Sequence, residues 1–518
     1  MASEDVYDVL IVGTGAAESI LAAAFARIGQ RVVHVDANTA YGDVGTALDA
    51  FQLREYLAEQ HESTVLESDS TAFDKSDARK CCFELLPKLI FASSPLITTM
   101  INCNVASYLE FRALESLHLF WNGAFDAVPG SKEDIFKNDS ISLVEKRRLM
   151  KLLSNILDSR PATADSNSED GNLPTEVAQP AESAVLDEEA DDLFVDVVKK
   201  VGLSEKSRAT LFHAIGMFLN AEDAENDTLV FSRKVTKRQA LAAIKQYLTS
   251  IGRFSASAFL SGVYGTASEI SQAFCRVCAV NGGTYMLGFT PIETSIINKG
   301  ESGDPIFRVS AKVEGLDDVT NFSCKWIVVS SSSAHRFKSV FSKIAGNRLG
   351  SRLDKRISRC ICVLDSKIPG IGEPGVIVIP PATHNNTNGI LAIQHSKNTL
   401  VCPSGKYILY LSSISTTATT AEQDLSASLE ALLTVKNQFE NEEQKSANVL
   451  FTAYYTQEVY GSESDSPRFI ITKDDSETIG FEGSLAEAES LFTRIAEGLG
   501  VADAKFLAPN DTVVDDDE

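Results

Sequence analysis

Two glycines near the start of the chain have the spacing of a site that binds dinucleotide phosphates. Residues 7–19 read YDVLIVGTGAAES, so Gly13 and Gly15 directly follow a short apolar run. In the dinucleotide-binding motif the first glycine permits a tight turn, and the second lets a pyrophosphate approach the backbone at a helix N-terminus. Asp36, 23 residues after Gly13, has the position of an acid that binds the ribose. This pattern leaves a flavin-dependent oxidoreductase open as one function.

The third glycine of that motif is replaced by Glu18. A glycine at this place normally allows close packing between the helix and the sheet. An ionised glutamate in the first helical turn interacts favourably with the helix dipole, which would otherwise attract the phosphate. We therefore expect that the chain keeps the dinucleotide-binding fold, that Glu18 repels a phosphate, and that no cofactor is bound.

Other groups of reactive residues do not form a recognisable catalytic or metal site. Cys275 and Cys278 have the spacing of half a zinc site, but the candidate for the other half, Cys360 and Cys362, has a gap too short for a zinc knuckle. The seven histidines show no metal-ligand spacing. No GxSxG, HExxH or P-loop motif occurs. We expect buried, reduced cysteines, and we assign no metal ligand and no catalytic residue.

The pattern of apolar residues predicts an α/β fold. Residues 7–12 and 31–36 predict parallel strands joined by a helix over 16–29. Residues 80–122 predict mostly helical segments, and SISLVEKRRLMKLLSNILDS predicts an amphipathic helix. From about residue 306 short strands dominate, and SLAEAESLFTRIAEGL predicts a final helix. The expected architecture is a dinucleotide-binding sheet domain assembled from separate segments, with a smaller, mostly helical domain inserted into it.

Composition limits the partners and the domain organisation. The 518 residues carry a net charge of −24, which argues against binding to nucleic acid. Nine scattered cysteines and the lack of a signal peptide predict a cytoplasmic protein. Residues 161–192 contain ten acidic and no basic residues, which predicts a disordered acidic insert. The expected segments are a first part of the α/β domain (1–129), a helical domain (130–235), the remainder of the α/β domain (236–505) and an acidic tail (506–518).

Three blocks of sequence resemble the superfamily of Rab GDP-dissociation inhibitors and Rab escort proteins. The first is the glycine motif with HVDANTAYGD (His34 to Asp43), and Glu18 belongs to that family's pattern. The second is GRFSASAFLSGVYGTASEISQAFCRVCAVNGGTYMLGF (Gly252 to Phe289). The third is CCFELLPKLIFASSPLITTMINCNVASYLEF (Cys81 to Phe111). The resemblance implies a flavoprotein-like fold without a bound flavin.

Within this superfamily the chain is more similar to the escort branch, of fungal type. FCRVCAV and CNV carry cysteines typical of escort proteins, and the acidic insert lengthens the chain beyond the more compact inhibitors. The chain also departs from the family pattern, because ANTAYGD stands for RNxYYGG and YGTASEISQ stands for YGxGELPQ. The inhibitor branch therefore stays open as an alternative.

The resemblance implies a non-catalytic accessory protein of Rab geranylgeranylation. Proteins of the escort branch bind GDP-bound, unprenylated Rab GTPases, present them to the αβ heterodimer of Rab geranylgeranyltransferase and deliver them to membranes. Carried over to this chain, the surface that binds Rab includes Tyr41, Glu269 and Arg276. Glu269 and Arg276 lie seven residues apart, so one helix presents them on nearly the same face. Without the resemblance, an intramolecular surface pair of no function is the alternative.

The resemblance also implies contacts with the transferase and with the geranylgeranyl lipid of Rab. Phe274 is a candidate contact for the prenyltransferase, and a core position is the alternative. The helix at 141–157 predicts either ordinary core or a lipid groove, through Leu143, Leu149, Leu152, Leu153, Ile156 and Leu157. We expect transient peripheral membrane association, and an acidic surface that attracts basic Rab tails.

Overall fold

The computed structural model describes residues 6–60, 62–67, 75–130, 134, 142–158, 193–221, 235–298, 305–346, 349, 352–384, 386–415, 419–435 and 447–508. The strands are β1 (Val6–Val12), β2 (Val32–Val35), β3 (Ala47–Leu48), β4 (Ser63–Glu67), β5 (Phe83–Glu84), β6 (Ile90–Phe91), β7 (Phe111–Ala113), β8 (Ser116–Trp121), β9 (Ala124–Ala127), β10 (Phe259–Gly262), β11 (Thr284–Met286), β12 (Thr290–Asn298), β13 (Pro305–Lys312), β14 (Thr320–Val329), β15 (Leu353–Leu364), β16 (Gly375–Ile379), β17 (Ile390–His395), β18 (Tyr407–Ile414), β19 (Val449–Tyr460) and β20 (Phe469–Ile471). The helices are α1 (Ala16–Arg27), α2 (Ala50–Glu59), α3 (Lys75–Ala78), α4 (Pro95–Asn102), α5 (Leu143–Asp158), α6 (Phe194–Val201), α7 (Glu205–Ala209), α8 (Lys237–Ser250), α9 (Ala267–Val280), α10 (Ser331–Arg336), α11 (Lys338–Ala345), α12 (Ala421–Thr434) and α13 (Glu482–Leu499).

The first sheet has the order β11-β2-β1-β14-β13-β12, and β20 also pairs with β14. The pairs among β11, β2, β1, β14 and β20 are parallel, whereas β12, β13 and β14 run antiparallel. Helix α1 connects the parallel strands β1 and β2, which confirms the predicted βαβ unit. Since the central strands are covered on both faces, their residues form continuous apolar runs. The expected α/β fold class is confirmed.

The second sheet has the order β4-β19-β15-β18-β17-β16-β8-β9 and is largely antiparallel. Helix α12 and the residues that pack with it cover one face. The other face packs against the helical group α5 to α8 and a π-helical turn at Thr210–Ile215. Helix α8 begins after residue 235 but packs with α5 and α6, so this helical group extends beyond the predicted segment. The domain boundaries stay a prediction.

The prediction of mostly helical structure over residues 80–122 is wrong. Only α4 and a single 3₁₀ turn are helical there, and the remaining elements are the short strands β5 to β8. The apolar run CCFELLPKLIF is buried from several sides, and such a run has no periodicity that distinguishes strand from helix. By contrast, α5 and α13 carry clear amphipathic patterns and lie where the sequence predicts helices.

Two predicted features lie outside the described residues. They are the acidic insert over 161–192 and most of the acidic tail. In the parts of the chain that the structure covers, no helix is both long and apolar enough to cross a bilayer.

Phe274 is fully buried in the core between the first sheet and helices α1, α9 and α13. A ring without exposed surface is unavailable to another protein unless α9 is displaced. This placement contradicts a direct prenyltransferase contact and agrees with the alternative, a core position.

We expect Phe274→Ala to lower the free energy of unfolding by about 3–5 kcal/mol, because the truncation leaves a cavity in a packed core. Urea denaturation monitored by circular dichroism measures this change. Val280→Ala on the same helix is the matched control, because Val280 is 68% exposed and its truncation should change stability by less than about 0.5 kcal/mol. Equal stability of the two variants would contradict the core position of Phe274.

Candidate functional site

The glycine motif forms the turn between β1 and α1. Gly13 has a φ of +105°, which favours glycine, and a Cβ there would lie 2.5 Å from Ser330 Oγ. The Gly13 amide donates to the carbonyl of Val35 at 2.8 Å, which joins the turn to the end of β2. Gly15 immediately precedes the first turn of α1. The turn therefore has the geometry expected of a dinucleotide-binding fold.

Carboxyl groups of the chain itself fill the space beside these glycines. A Cβ on Gly15 would lie 2.6 Å from Glu18 Oε2, and a Cβ on Gly13 would lie 2.9 Å from Asp43 Oδ2. The hydroxyl of Thr472, which follows β20, donates to Glu18 Oε1. In a dinucleotide-binding turn, the two glycines let a pyrophosphate approach the backbone closely. Here the side chains of Glu18 and Asp43 occupy that position.

Burial favours the protonated form of these acids. Desolvation, with the nearby charge of Asp43, raises the pKa of Glu18 from 4.5 to about 8. Desolvation and Asp43 also raise the pKa of Asp36 from 3.8 to about 7. Burial raises the pKa of Asp43 as well. This revises the electrostatic argument from the sequence, because Glu18 near neutral pH is mainly a neutral acid that fills the site rather than an anion that repels phosphate.

Asp36 is engaged in local hydrogen bonds instead of facing a ligand. Its Oδ2 accepts from the amide and hydroxyl of Thr14 at 2.7 and 2.5 Å, and its Oδ1 accepts from the amide of Asn38 at 2.8 Å. The Thr14 hydroxyl in turn accepts from the Gly42 amide at 2.8 Å. Asp36 thereby fixes the loop after β2.

The residues present do not fit a flavin or nicotinamide dinucleotide. The remaining cavity at the turn has a volume of about 60 Å³ and is lined by Glu18, Asp43, Lys88 and Thr472 among others. This space is several times smaller than the roughly 300–1,000 Å³ that is usual for small-molecule and cofactor sites. We therefore assign no catalytic step to Gly13, Gly15, Glu18 or Asp36.

The two cysteines of α9 are buried thiols. Cys275 Sγ lies 3.3 Å from Ser19 Oγ on α1. Burial raises the pKa of Cys275 to about 12 and that of Cys278 to about 11, so both stay protonated near neutral pH. Thiolates are the form that binds metals and acts as a nucleophile. Across the described ranges, no group of three histidine, cysteine or acidic residues is arranged to hold a metal ion.

Helix α9 presents the predicted Rab contacts on its surface. Arg276 is exposed, and its guanidinium carbon lies 4.6 Å from the centre of the Tyr108 ring. Glu269 is half-buried in the first turn of α9, where the Gln272 amide donates to its carboxyl at 3.5 Å. Among the described residues neither Glu269 nor Arg276 forms an ion pair, so the alternative of an intramolecular pair between them is not supported.

Tyr41 lies beside α9 through an aromatic contact. Its ring meets Tyr285 edge-on at 5.9 Å between ring centres. The Tyr285 hydroxyl donates to His34 Nδ1 at 2.8 Å, and His34 Nε2 donates to the carbonyl of Gly13 at 2.6 Å. Burial lowers the pKa of His34 to about 4, which matches a neutral ring with one donor and one acceptor. The glycine turn is thereby connected to the surface that carries Tyr41.

The N-terminus of α9 is held by a buried carboxyl group that the sequence did not indicate. Glu84 Oε1 accepts from the Ala267 amide at 2.6 Å. Desolvation raises the pKa of Glu84 to about 8, opposed by hydrogen bonds from the backbone at residues 266–268. Because the first amides of a helix lack intrahelical partners, this carboxyl fixes where α9 starts.

Two more tyrosines near α9 escaped the sequence analysis. Tyr108 packs under Arg276, and Tyr264 is exposed just before α9, with its amide bonded to the Thr399 carbonyl at 2.9 Å. Both tyrosines lie in sequence blocks that resemble the Rab GDP-dissociation inhibitor and escort superfamily. Their position beside α9 depends on contacts between residues that are far apart in the sequence, so the sequence alone does not reveal it. We call Tyr41, Tyr108, Tyr264, Glu269 and Arg276 the α9 surface.

The chain is similar to one protein family and to curated relatives from several organisms. The family model described as GDP dissociation inhibitor matches residues 1–496. The Saccharomyces cerevisiae protein named Rab proteins geranylgeranyltransferase component A is 28% identical over 443 residues, which cover 83% of this chain and 64% of the yeast protein. The Drosophila melanogaster protein of the same name is 25% identical over 544 residues, which cover 99% of this chain and 92% of the fly protein. The chain thus spans less than two thirds of the yeast relative.

A solved structure shares the fold. The crystal structure of a Rab GDI from Plasmodium falciparum aligns with 95% of this chain and 98% of its own, with a TM-score of 0.67 and 20% sequence identity.

We expect Glu18→Gln to weaken the pH dependence of stability between about pH 4.5 and 8. The folded-state pKa of Glu18 lies above its unfolded value, so the folded state holds the extra proton and stability falls as pH rises through this window. One such group contributes at most about 1.4 kcal/mol per pH unit. Urea denaturation at several pH values measures the slope.

Glu489→Gln, at an exposed position on α13, is the matched control and should keep the wild-type slope. A Glu18→Gln variant whose stability falls with pH as steeply as the wild type would show that Glu18 is not a buried, protonated acid.

Proposed function

The chain belongs to the GDP dissociation inhibitor family, and from this premise we propose that it is a Rab escort protein. In this proposal it binds GDP-bound, unprenylated Rab GTPases, presents them to the αβ heterodimer of Rab geranylgeranyltransferase, and delivers the modified Rab to membranes. It is an accessory component and carries out no chemical step itself. The observation that carries the proposal is the pair of charged side chains on α9, exposed Arg276 and half-buried Glu269. Neither forms an ion pair with a described residue, and both lie beside a dinucleotide turn that is filled by carboxyl groups.

The α9 surface has the chemistry of a protein contact. The Arg276 guanidinium is planar and is held against the Tyr108 ring, so little freedom is lost when a carboxylate binds it in a bidentate manner. Glu269 offers an acceptor, and Tyr41 and Tyr264 offer rings with polar tips. Tyrosine and arginine are enriched among the residues that dominate binding energy. Together these groups suit the polar surface of a folded GTPase.

The helical group supplies a groove for the geranylgeranyl lipid. A cavity of about 190 Å³ lies between α5, the segment 205–215 and the end of α8. The groove is lined by three residues of the predicted groove helix, Leu149, Leu153 and Leu157. Leu149 and Leu153 also belong to the buried core, as Leu152 and Ile156 do. A C20 chain would gain up to about 0.8 kcal/mol for each CH₂ group it buries there.

The charge of the chain supports the same proposal. A net charge of −24 would attract the basic, flexible tail of a Rab towards the protein. Such steering accelerates association more than it strengthens the final complex. The expected transient contact with membranes is part of the delivery step, and it belongs to this proposal.

The inhibitor function is the second candidate, because the matched family carries that name. An inhibitor would bind prenylated, GDP-bound Rab but would not help the transferase. Reconstituted prenylation separates the two: purified transferase, a GDP-bound Rab and labelled geranylgeranyl diphosphate are incubated with and without this chain. The escort function predicts strong stimulation of lipid transfer. If the chain does not increase lipid transfer but still binds prenylated Rab, the inhibitor function replaces the escort function.

We expect Arg276→Ala to weaken Rab binding by about 2 kcal/mol or more, which corresponds to about 30-fold in the dissociation constant. The loss follows from the missing guanidinium fork and from the freed Tyr108 ring. Titration of the chain with a fluorescent, GDP-loaded Rab measures the affinity. Lys312→Ala removes another exposed cation, on β13, and should leave the affinity unchanged. Wild-type affinity of Arg276→Ala would remove this residue from the contact.

We expect Leu157→Glu to weaken binding of a prenylated Rab while leaving unprenylated Rab binding unchanged. Leu157 lines the groove and is 40% exposed, so a charge there meets the lipid without disturbing the core. Leu143→Glu on the same helix is the matched control, because Leu143 is 68% exposed and does not line the groove. The same loss with both variants, or with neither, would argue against a lipid site in this groove.

A further inference from the structure

A second and larger cavity lies between the helical group and the second sheet. Its volume is about 560 Å³, within the range of about 300–1,000 Å³ that is usual for small-molecule sites. The segment 216–220 and helix α8 form one wall, strands β15, β17 and β18 form the opposite wall, and residues 476–482 complete it. Much of the lining is apolar: Phe91, Met217, Phe218, Leu219, Ile357 and Leu391.

Arg359 on β15 places a buried positive charge at this cavity. Its side chain is only 3% exposed. The guanidinium donates to Gln457 Oε1 at 2.9 and 3.1 Å, to Ser412 Oγ at 2.7 Å and to the Ser476 carbonyl at 2.8 Å. All of these acceptors are neutral. Within the described parts of the chain, no carboxylate forms an ion pair with Arg359.

Among the described residues, the other charged side chains that line the cavity form no ion pair with Arg359. Lys355 is paired with Glu477, and Glu482 accepts a hydrogen bond from the Gln246 amide at 2.7 Å. Asp474 acts on Arg359 only at longer range, without an ion pair. A buried arginine remains protonated near neutral pH, and an uncompensated buried charge is costly. A ligand with a negative charge would remove that cost.

The donors that remain match one carboxylate. Four of the five guanidinium hydrogens are used by the contacts above, which leaves one on Nη1. The Ser412 hydroxyl accepts from Arg359 and, among the described residues, its own hydrogen has no acceptor. Two neighbouring donors suit the two oxygens of a carboxylate, whereas a phosphate has three oxygens to satisfy.

We propose that this cavity binds a small carboxylic acid with an apolar chain, whose carboxylate contacts Arg359 and Ser412 and whose chain lies along the apolar lining. The site is separate from the lipid groove, because the two cavities share no lining residue. It does not depend on the proposed Rab function.

Isothermal titration of the 518-residue chain with decanoate tests this site, with decanol as the uncharged probe. We expect one decanoate to bind per chain, and decanol to bind at least about tenfold more weakly, because a hydrogen bond to a charged group is lost. Arg359→Gln should weaken decanoate binding by at least the same factor. No saturable decanoate binding, or equal binding of decanol, would overturn the proposal.

A second pair of variants keeps the test valid if Arg359→Gln fails to fold. Ala243→Phe fills the cavity from α8 without changing Arg359 and should abolish binding. Ala242→Phe, at the exposed neighbouring position outside the cavity, should bind decanoate like the wild type. Unchanged binding with Ala243→Phe overturns the proposal. Loss of binding with Leu157→Glu but not with Ala243→Phe would place decanoate in the lipid groove and overturn it as well.

Discussion

The site depends on the carboxyl group of Glu18, which packs over Gly15 and accepts a hydrogen bond from Thr472. A dinucleotide-binding turn leaves backbone amides and open space for a pyrophosphate. Here Glu18 and Asp43 occupy that space. Burial raises the pKa of both acids, and it raises that of Glu18 to about 8, so Glu18 is mainly protonated near neutral pH. The turn is therefore closed by hydrogen-bonded carboxyl groups of the chain itself, and the sheet below it serves as a rigid support instead of a cofactor site.

That support positions the surface that we propose for Rab. Helix α9 packs against α1, and Glu84 holds its first amides, so the helix has a fixed start and a fixed face. The fixed face presents Arg276 and Glu269 to solvent. The second sheet carries the helical group with its apolar groove. In our proposal, one chain thus has separate places for a folded GTPase and for a lipid, which an escort would hold together during delivery.

Local sequence patterns predicted the parts of the fold that depend on local periodicity. The βαβ unit, α5 and α13 lie where apolar spacing indicates them, whereas residues 80–122 are buried from several sides and their pattern could not separate strand from helix. The motif also located Glu18, but its protonation depends on Asp43 and Thr472, which the fold brings to it from elsewhere. Tyr108, Glu84 and Arg359 have no sequence signature, since their roles arise from contacts between residues far apart in the chain.

The central claim is that the chain's own carboxyl groups close the dinucleotide site. An equilibrium titration of the purified 518-residue chain with FAD, followed by the fluorescence of the flavin, tests it most directly. A flavin-binding oxidoreductase is titrated in parallel as the positive control. The closed turn predicts that this chain shows no saturable FAD binding at concentrations that saturate the control. Stoichiometric binding, or flavin retained by the protein through purification, would show that Glu18 moves aside and would contradict the account.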